Sequence, residues 1–529
     1  MVPTIPPEIW LRTAQFIPSS ILRNLYSVNP VFLYLALNDR YSDINLAIRW
    51  TTATTKHLKH LNHPHIAQRV QRLTLSSNWL ESNMYLDTSE EVTLRTMVAW
   101  YLPFGLGRFI DPIVCRISDV KMCNALMETT VLNFPNVSSL IIFEGSGPSP
   151  QSQPDPLFVN AYTACASNLR TLSLTATSTN FTVLFPPNAS ALTSLEEFTL
   201  TFSPQDGSSA DAEAASTFLQ AISPTLTSLN ISFHCTSDEP SRLLPNPPCE
   251  GNRTGFRFPK LTSFSLFPSE LPASPGSNLM QFLNQHADTL KHLHLQPTKP
   301  SPIASQFDLD PLLPSVLPHL ETLNLLNGSS SRNGQQLASS EGLDAARAYL
   351  QHSGSTLTRL GLTHCSFTLH DLGMLLDLLG QGSSENAEGG GLKNLTVTVQ
   401  VLSPQVLDML AEKLPQLERL KVDFADLRSN HGADVPMWIG EGSRVGLGGL
   451  THEDIQPFLL EMKTRSYSRW SLRSFGIDNL CMKPDTLMAI LMPLTLCIPH
   501  LVDIDGQFVK MWRESESAST WKASDCELH

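Results

Sequence analysis

One six-residue phase, apolar-x-x-apolar-x-apolar, recurs along most of this chain and constrains its fold more than any other feature. It stands at Val70–Leu75, Val137–Ile142, Leu169–Leu174, Leu195–Leu200, Leu226–Ile231 and Leu261–Leu266. It continues at Leu290–Leu295, Leu320–Leu325, Leu357–Leu362, Leu392–Val397, Leu417–Val422 and Leu472–Ile477, with a shortened copy from Leu501 to Asp505. From Val137 onward most spacings fall between 25 and 37 residues. Alternation in the second half of the phase puts its last two apolar residues on one face of a short strand. The first apolar residue enters the same interior from the preceding turn. A strand this short cannot bury its face alone, so neighbouring copies must stack into a parallel sheet with a shared core.

Helical patterns separate these strands: Ala212–Ile222, Asn278–His286, Leu343–Gln351, Leu369–Leu379, Pro404–Leu414 and Asp454–Met462. Proline often stands just before the next strand, at Phe134-Pro135, Phe258-Pro259, Leu317-Pro318, Leu414-Pro415 and Ile498-Pro499, where it stops a helix or makes a turn. Strand, return helix, strand predicts an α/β solenoid. The phase resembles that of leucine-rich repeats, and Leu357-Thr-Arg-Leu360-Gly-Leu362-Thr-His-Cys365 resembles their cysteine-containing type. The resemblance implies parallel strands on a concave face and helices on the convex one. Polar segments at Glu144–Pro156, Ser203–Asp211, Ser237–Gly255, Asn327–Gly342, Gly380–Gly391 and Arg428–Gly449 fall between strands and read as loop insertions. The gaps from Val70 to Val137 and from Leu417 to Leu472 are each long enough for one further, poorly matching repeat.

The first residues are organised differently. Ile5-Pro6-Pro7-Glu8-Ile9 opens a short helix, with proline where its missing N–H costs nothing. Ser19 or Ser20 can cap a second helix carrying Leu22, Leu25 and Val28, and Val31, Phe32, Leu35 and Ala36 make a third after Asn29-Pro30. Three such helices are too small for a self-sufficient core. Ile5-Pro6-Pro7-Glu8-Ile9, then Leu22-Arg-Asn-Leu25-Tyr-Ser-Val28, then Val28-Asn-Pro-Val-Phe32 together resemble the F-box; Thr13 and Pro30 depart from its usual pattern. That resemblance implies docking on the Skp-type adaptor of a cullin–RING ubiquitin ligase, with Ile9, Ile17, Leu22, Leu25, Val28 and Phe32 burying against the adaptor and Pro7 and Glu8 setting the first helix. The whole chain resembles fungal F-box proteins with a carboxy-terminal leucine-rich-repeat domain. The bland alternative is that these helices merely cap the solenoid.

A net charge of −13 offers no bulk attraction to nucleic acid or anionic membrane. The cysteines number nine, scattered without paired C-x-x-C spacing, so neither a zinc site nor a disulfide framework is expected. Without an amino-terminal signal pattern or an uninterrupted apolar span, the reading is a soluble protein of the cytoplasm or nucleus. His57, His60, His63 and His65 invite a metal reading, but Asn62-His63-Pro64 breaks the helix and nothing completes the ligand set; a linker helix is the expectation. No G-x-S-x-G, H-E-x-x-H or phosphate-loop pattern is present, so no enzyme, no catalytic residue and no cofactor are expected.

The variable residue between the last two apolar positions of each strand should face the concave side, and the next outward one beside it. These positions are small and polar toward the amino terminus and charged toward the carboxy terminus. Phe267, His294, Gln296, Lys421, Asp423 and Asp478 are the candidate contacts to an unknown protein substrate. The expected organisation is an F-box over 1–45, a linker helix over 46–68, the repeat solenoid over 69–510 and a tail over 511–529. The expected function is a substrate receptor of a Skp–cullin–F-box ligase; the alternative is a leucine-rich-repeat scaffold with no ligase role.

Overall fold

The computed structural model describes residues 5–22, 24–46, 52–76, 122, 125–143, 156–176, 184–186, 188–202, 209–233, 257–267, 278–296, 317–325, 350, 356–381, 391–429, 452–477, 484–504 and 507–508. The chain divides into two compact units, Met1–Leu261 and Thr262–His529.

The first unit opens with three helices, α1 (Pro7–Ala14), α2 (Ser19–Leu22) and α3 (Pro30–Tyr41). Strands β1 (Asp43–Asn45), β2 (Arg72–Ser76), β3 (Ser139–Phe143), β4 (Thr171–Ala176), β5 (Glu197–Phe202) and β6 (Ser228–Phe233) follow. Each of these strands pairs in parallel with the next. Return helices are α4 (Thr52–Leu61) and α5 (Pro64–Ala67) between β1 and β2, α6 (Pro156–Cys165) before β4, and α7 (Ser209–Ile222) before β6.

The second unit holds β7 (Ser263–Phe267), β8 (His292–Leu295), β9 (Thr322–Leu325), β10 (Arg359–Phe367), β11 (Asn394–Leu402), β12 (Arg419–Leu427), β13 (Ser474–Ile477) and β14 (Asp503–Ile504). All pair in parallel and in sequence order, and β15 (Gln507–Phe508) closes the series antiparallel to β14. Its helices are α8 (Asn278–Gln285), α9 (Leu369–Gln381), α10 (Pro404–Lys413), α11 (His452–Met462) and α12 (Pro484–Cys497), the last four packed each against the next. In both units strand and helix alternate as in a leucine-rich-repeat solenoid.

The six-residue phase produces this arrangement as its pattern demands. Leu169, Leu172 and Leu174 of one copy, and Leu195, Phe198 and Leu200 of the next, are all buried. The turn that admits the first apolar residue is held by a repeating pair of bonds: Glu196 and Glu197 N–H both donate to the Arg170 carbonyl, at 2.8 and 2.9 Å. Glu321 and Thr322 do the same to Lys291, at 2.8 and 2.9 Å. The residue before each proline, biased away from helix, points into the core: Phe134, Phe258, Leu317 and Ile498 are fully buried.

Three expectations change. The sheet begins at Asp43, ahead of residue 69, because Tyr41-x-x-Ile44-x-Leu46 is itself a copy of the phase with all three apolar residues buried. Within 46–68, α4 and α5 therefore stand between two paired strands of the sheet rather than in a linker outside the array. Among the described residues no repeat strand stands in the two long gaps either; β2 pairs directly with β3 and β12 directly with β13. Most residues of the polar insertions, the tail 511–529, and Leu343–Gln351 apart from Leu350 lie outside the described residues. Cys365 lies within β10, near a register shift between Leu362 and Ser366.

Candidate functional site

The amino-terminal helices build their own small core. Ala14, Leu22 and Phe32 are buried together, with Trp10, Ile17, Leu25 and Leu35 packed against them. The Trp10 and Phe32 rings meet edge to face at 5.4 Å. Pro7 opens α1 at a position that needs no N–H, with Glu8 in the first turn where the helix dipole favours a carboxylate. Thr13 turns its hydroxyl back onto the Ile9 carbonyl at 2.8 Å and stays exposed, so it has no need to be aliphatic. Pro30 is the first residue of α3, and the Asn29 side chain caps that helix by accepting the Phe32 N–H at 2.9 Å.

What this core leaves outside is unusual. Ile5, Ile9, Leu11, Phe16, Ile21, Tyr26, Val28, Leu33 and Tyr34 are all exposed, Phe16 by 87%. Nine of the fifteen large apolar side chains exposed among the described residues thus lie in this short segment. On α1, Ile9 is one residue, about 100°, from the inward Trp10, and it is exposed beside Arg12 and Thr13 one turn on.

The structure therefore divides the sequence-predicted contacts. Ile9, Val28, Pro7 and Glu8 are exposed, Ile17 and Leu25 sit at the rim of the core, and Leu22 and Phe32 lie inside it. Leu22 and Phe32 are already buried in this structure, against each other's neighbours. Phe16, Ile21, Tyr26, Leu33 and Tyr34 were not read as outward from the sequence. The signal was present for Phe16: it follows the inward Ala14 by two residues, where a helical wheel no longer points to the core.

The helices are tied to the first repeat. Tyr41 Oη lies 2.9 Å from His60 Nε2. Arg69 reaches back from the end of α5, donating to the Tyr34 carbonyl at 3.2 Å and to the Asn38 side chain, while its guanidinium covers the Tyr34 ring at 4.5 Å. The histidines are absorbed by the same junction: His60 is engaged by Tyr41, and the His63 and His65 rings stack at 5.5 Å. Burial first, then positive neighbours His60 and Arg40, hold His57 below its ordinary value. Among the described residues no group of three or more His, Cys, Asp or Glu could hold a metal ion.

In the second unit the candidate substrate contacts divide into two places. The Phe267 and His294 rings meet at 4.9 Å, and His294 Nε2 lies 3.3 Å from Gln296 Oε1. Burial holds His294 below its ordinary value, against the opposing effect of the Gln296 bond. Lys421 and Asp423 stand on β12, four strand positions from His294 along the second unit, or about 19 Å at 4.8 Å per strand. Asp478 lies outside the described residues. The described cysteines Cys165 and Cys497 are buried, and burial pushes the Cys165 thiol up to about 12, which suppresses the thiolate a nucleophile needs. No helix among the described residues is long and apolar enough to cross a membrane.

No protein-family model and no curated protein matches the chain. Among solved structures, similarity is found to a chain of the crystal structure of the yeast Rad7 and Elc1 complex. That match has 14% identity over 81% of this chain and 83% of that chain, with a TM-score of 0.31.

Proposed function

We propose that the chain is the substrate-recognition subunit of a Skp–cullin–F-box ubiquitin ligase, with α1 to α3 as the F-box and the repeats as the substrate-holding surface. The observation that carries this reading is the concentration of exposed apolar side chains on three helices whose own core is already made. A cap turns its apolar face onto the first repeat and a polar face to water; these helices keep a second apolar surface, of the kind that marks a protein-binding site. Ile9 and Val28 would bury against the adaptor, flanked by Phe16 and Ile21, with Leu22 and Phe32 holding the helices in shape beneath them. The chain itself would make and break no bonds, contributing proximity and orientation.

The ties from Tyr41 and Arg69 to the first repeat favour a second reading, in which the helices are a cap on a protein-binding scaffold. Copurification of the full chain with a Skp-type adaptor separates the two. Wild type should bind, and Ile9→Asp/Val28→Asp should not, because each aspartate would be buried without a partner; both side chains are exposed, so the variant should fold. A folded wild type that leaves the adaptor unbound would establish the scaffold reading instead.

A further inference from the structure

Between Asp43 and Glu81 the chain holds no carboxylate, although 49 of its residues are acidic and its net charge is −13. The same stretch carries Arg49, Lys56, Lys59, Arg69 and Arg72, with His57, His60, His63 and His65 among them. Arg49 lies outside the described residues. On α4, Leu58 and Leu61 are fully buried and fix the inner side of the helix. Lys56 and Lys59, three residues apart, therefore share the outer side, with about 5–6 Å between their Cβ atoms. Both are exposed.

The charge of this face is largely left standing. Arg72 pairs with Asp43 at 3.7 Å, but among the described residues neither Lys56 nor Lys59 forms an ion pair. Arg69 donates to neutral groups, the His65 and Tyr34 carbonyls and the Asn38 side chain. Asn133, at the end of the neighbouring helical stretch 125–132, donates to Asn62 at 3.0 Å; Glu128 of that stretch pairs with neither lysine. The depressed proton affinity of His57, due to burial first and then to His60 and Arg40, fits a positive surface. The face is also continuous with the apolar surface of α1 to α3. Lys59 precedes His63 by four residues, the His63 ring stacks on His65, and the His65 carbonyl accepts from Arg69 at 2.9 Å. Arg69 in turn covers the ring of Tyr34, one of the exposed apolar side chains of the docking helices.

We propose that the partner covering α1 to α3 also lays an acidic segment along α4 and α5, where its carboxylates meet Lys56 and Lys59. This rests on reading α1 to α3 as a docking surface, and it adds the charge that the partner must carry beside its apolar contact. A partner that covers Tyr34 brings its own surface against Arg69 and the face beyond it. Opposite charge at the edge of an apolar contact speeds encounter and fixes register more than it adds affinity. Nucleic acid is the less suitable polyanion, because its binders neutralise many phosphates at once, about six to ten. The fixed cations outside ion pairs here are Lys56, Lys59 and Arg69, with Arg40 beside the Tyr41 ring. Phosphates would also leave the adjoining apolar side chains uncovered.

The test is stopped-flow association of the full chain with a Skp-type adaptor at low and at high salt. Lys56→Glu/Lys59→Glu should slow association roughly tenfold at low salt, with the difference shrinking at high salt and the melting curve unchanged. Lys56→Arg/Lys59→Arg should keep the wild-type rate. Lys260→Glu/Lys463→Glu makes the same change of charge at two exposed lysines elsewhere and should alter the rate less than about twofold. Equal slowing in the two glutamate variants would reduce the effect to net charge and overturn the proposal. A wild type that binds, with Lys56→Glu/Lys59→Glu within twofold of it, would overturn this inference and leave the docking surface standing. A wild type that leaves the adaptor unbound would remove both. Tight binding of an oligothymidylate that is lost in Lys56→Glu/Lys59→Glu would make the face a nucleic-acid site and overturn the proposal as well.

Discussion

Phe16 and Phe32 lie sixteen residues apart in the same small module, yet replacing each by alanine should have opposite consequences. A buried phenylalanine removes on the order of 200 Å² from water. Phe16 is 87% exposed, so about 170 Å² of it is left for a partner to cover, worth up to about 4 kcal/mol at 25 cal/mol/Å². Ordering costs at an interface reduce that figure, and measured anchors commonly contribute about 2 kcal/mol or more. Phe16→Ala should therefore weaken adaptor binding roughly thirtyfold and leave the free chain within about 0.5 kcal/mol of its stability. Phe32 is 3% exposed and packs on Trp10 and the other core residues. Its removal should cost about 3–5 kcal/mol, in a module with only Ala14 and Leu22 otherwise buried at its centre. Phe32→Ala should abolish binding by melting the helices. Isothermal titration with a Skp-type adaptor gives the affinities, and hydrogen exchange over residues 7–41 reports whether the helices persist. The division into core and docking surface is refuted if Phe16→Ala binds within twofold of wild type, or if it loses protection as Phe32→Ala does.

Acid should weaken the second unit through His294. Its folded value lies below the ordinary 6.5, so as pH falls through 6.5 the unfolded chain takes up the proton first, and stability declines until the folded value is passed. Thermal melts between pH 7.5 and 5 should show a smaller decline for His294→Gln than for wild type; identical slopes would contradict the assignment. Leu360→Ala removes a fully buried residue paired with Leu323 and Leu395, and should cost about 2–5 kcal/mol. Because each repeat contacts mainly its neighbours, exchange protection should fall in β9 to β11 and persist in β3 to β5, whereas uniform loss would indicate a single cooperative unit.

The repeat phase was legible because burial follows it almost position by position, and helices such as Pro404–Lys413 fell within a residue of their expected ends. The first repeat escaped because Tyr41 finishes α3 and begins the phase at once, so helical and strand periods overlap on one side chain. Inside the amino-terminal helices, an apolar pattern marks which residues avoid water without saying which of two apolar surfaces each one serves; Leu22 and Val28 look alike in sequence and end on opposite sides of that division.

The side chain of Tyr41 belongs to two structures at once, the last turn of a helix and the opening of a sheet. A boundary drawn after residue 45 would cut through a working joint and leave Tyr41 and Ile44 without the Leu73 strand that covers them. The amino-terminal helices are therefore not a detachable tag. Exchanging them between chains, by recombination or by design, would have to carry the stretch through Ser76 as well, so that the part that docks and the first part that stacks are inherited together.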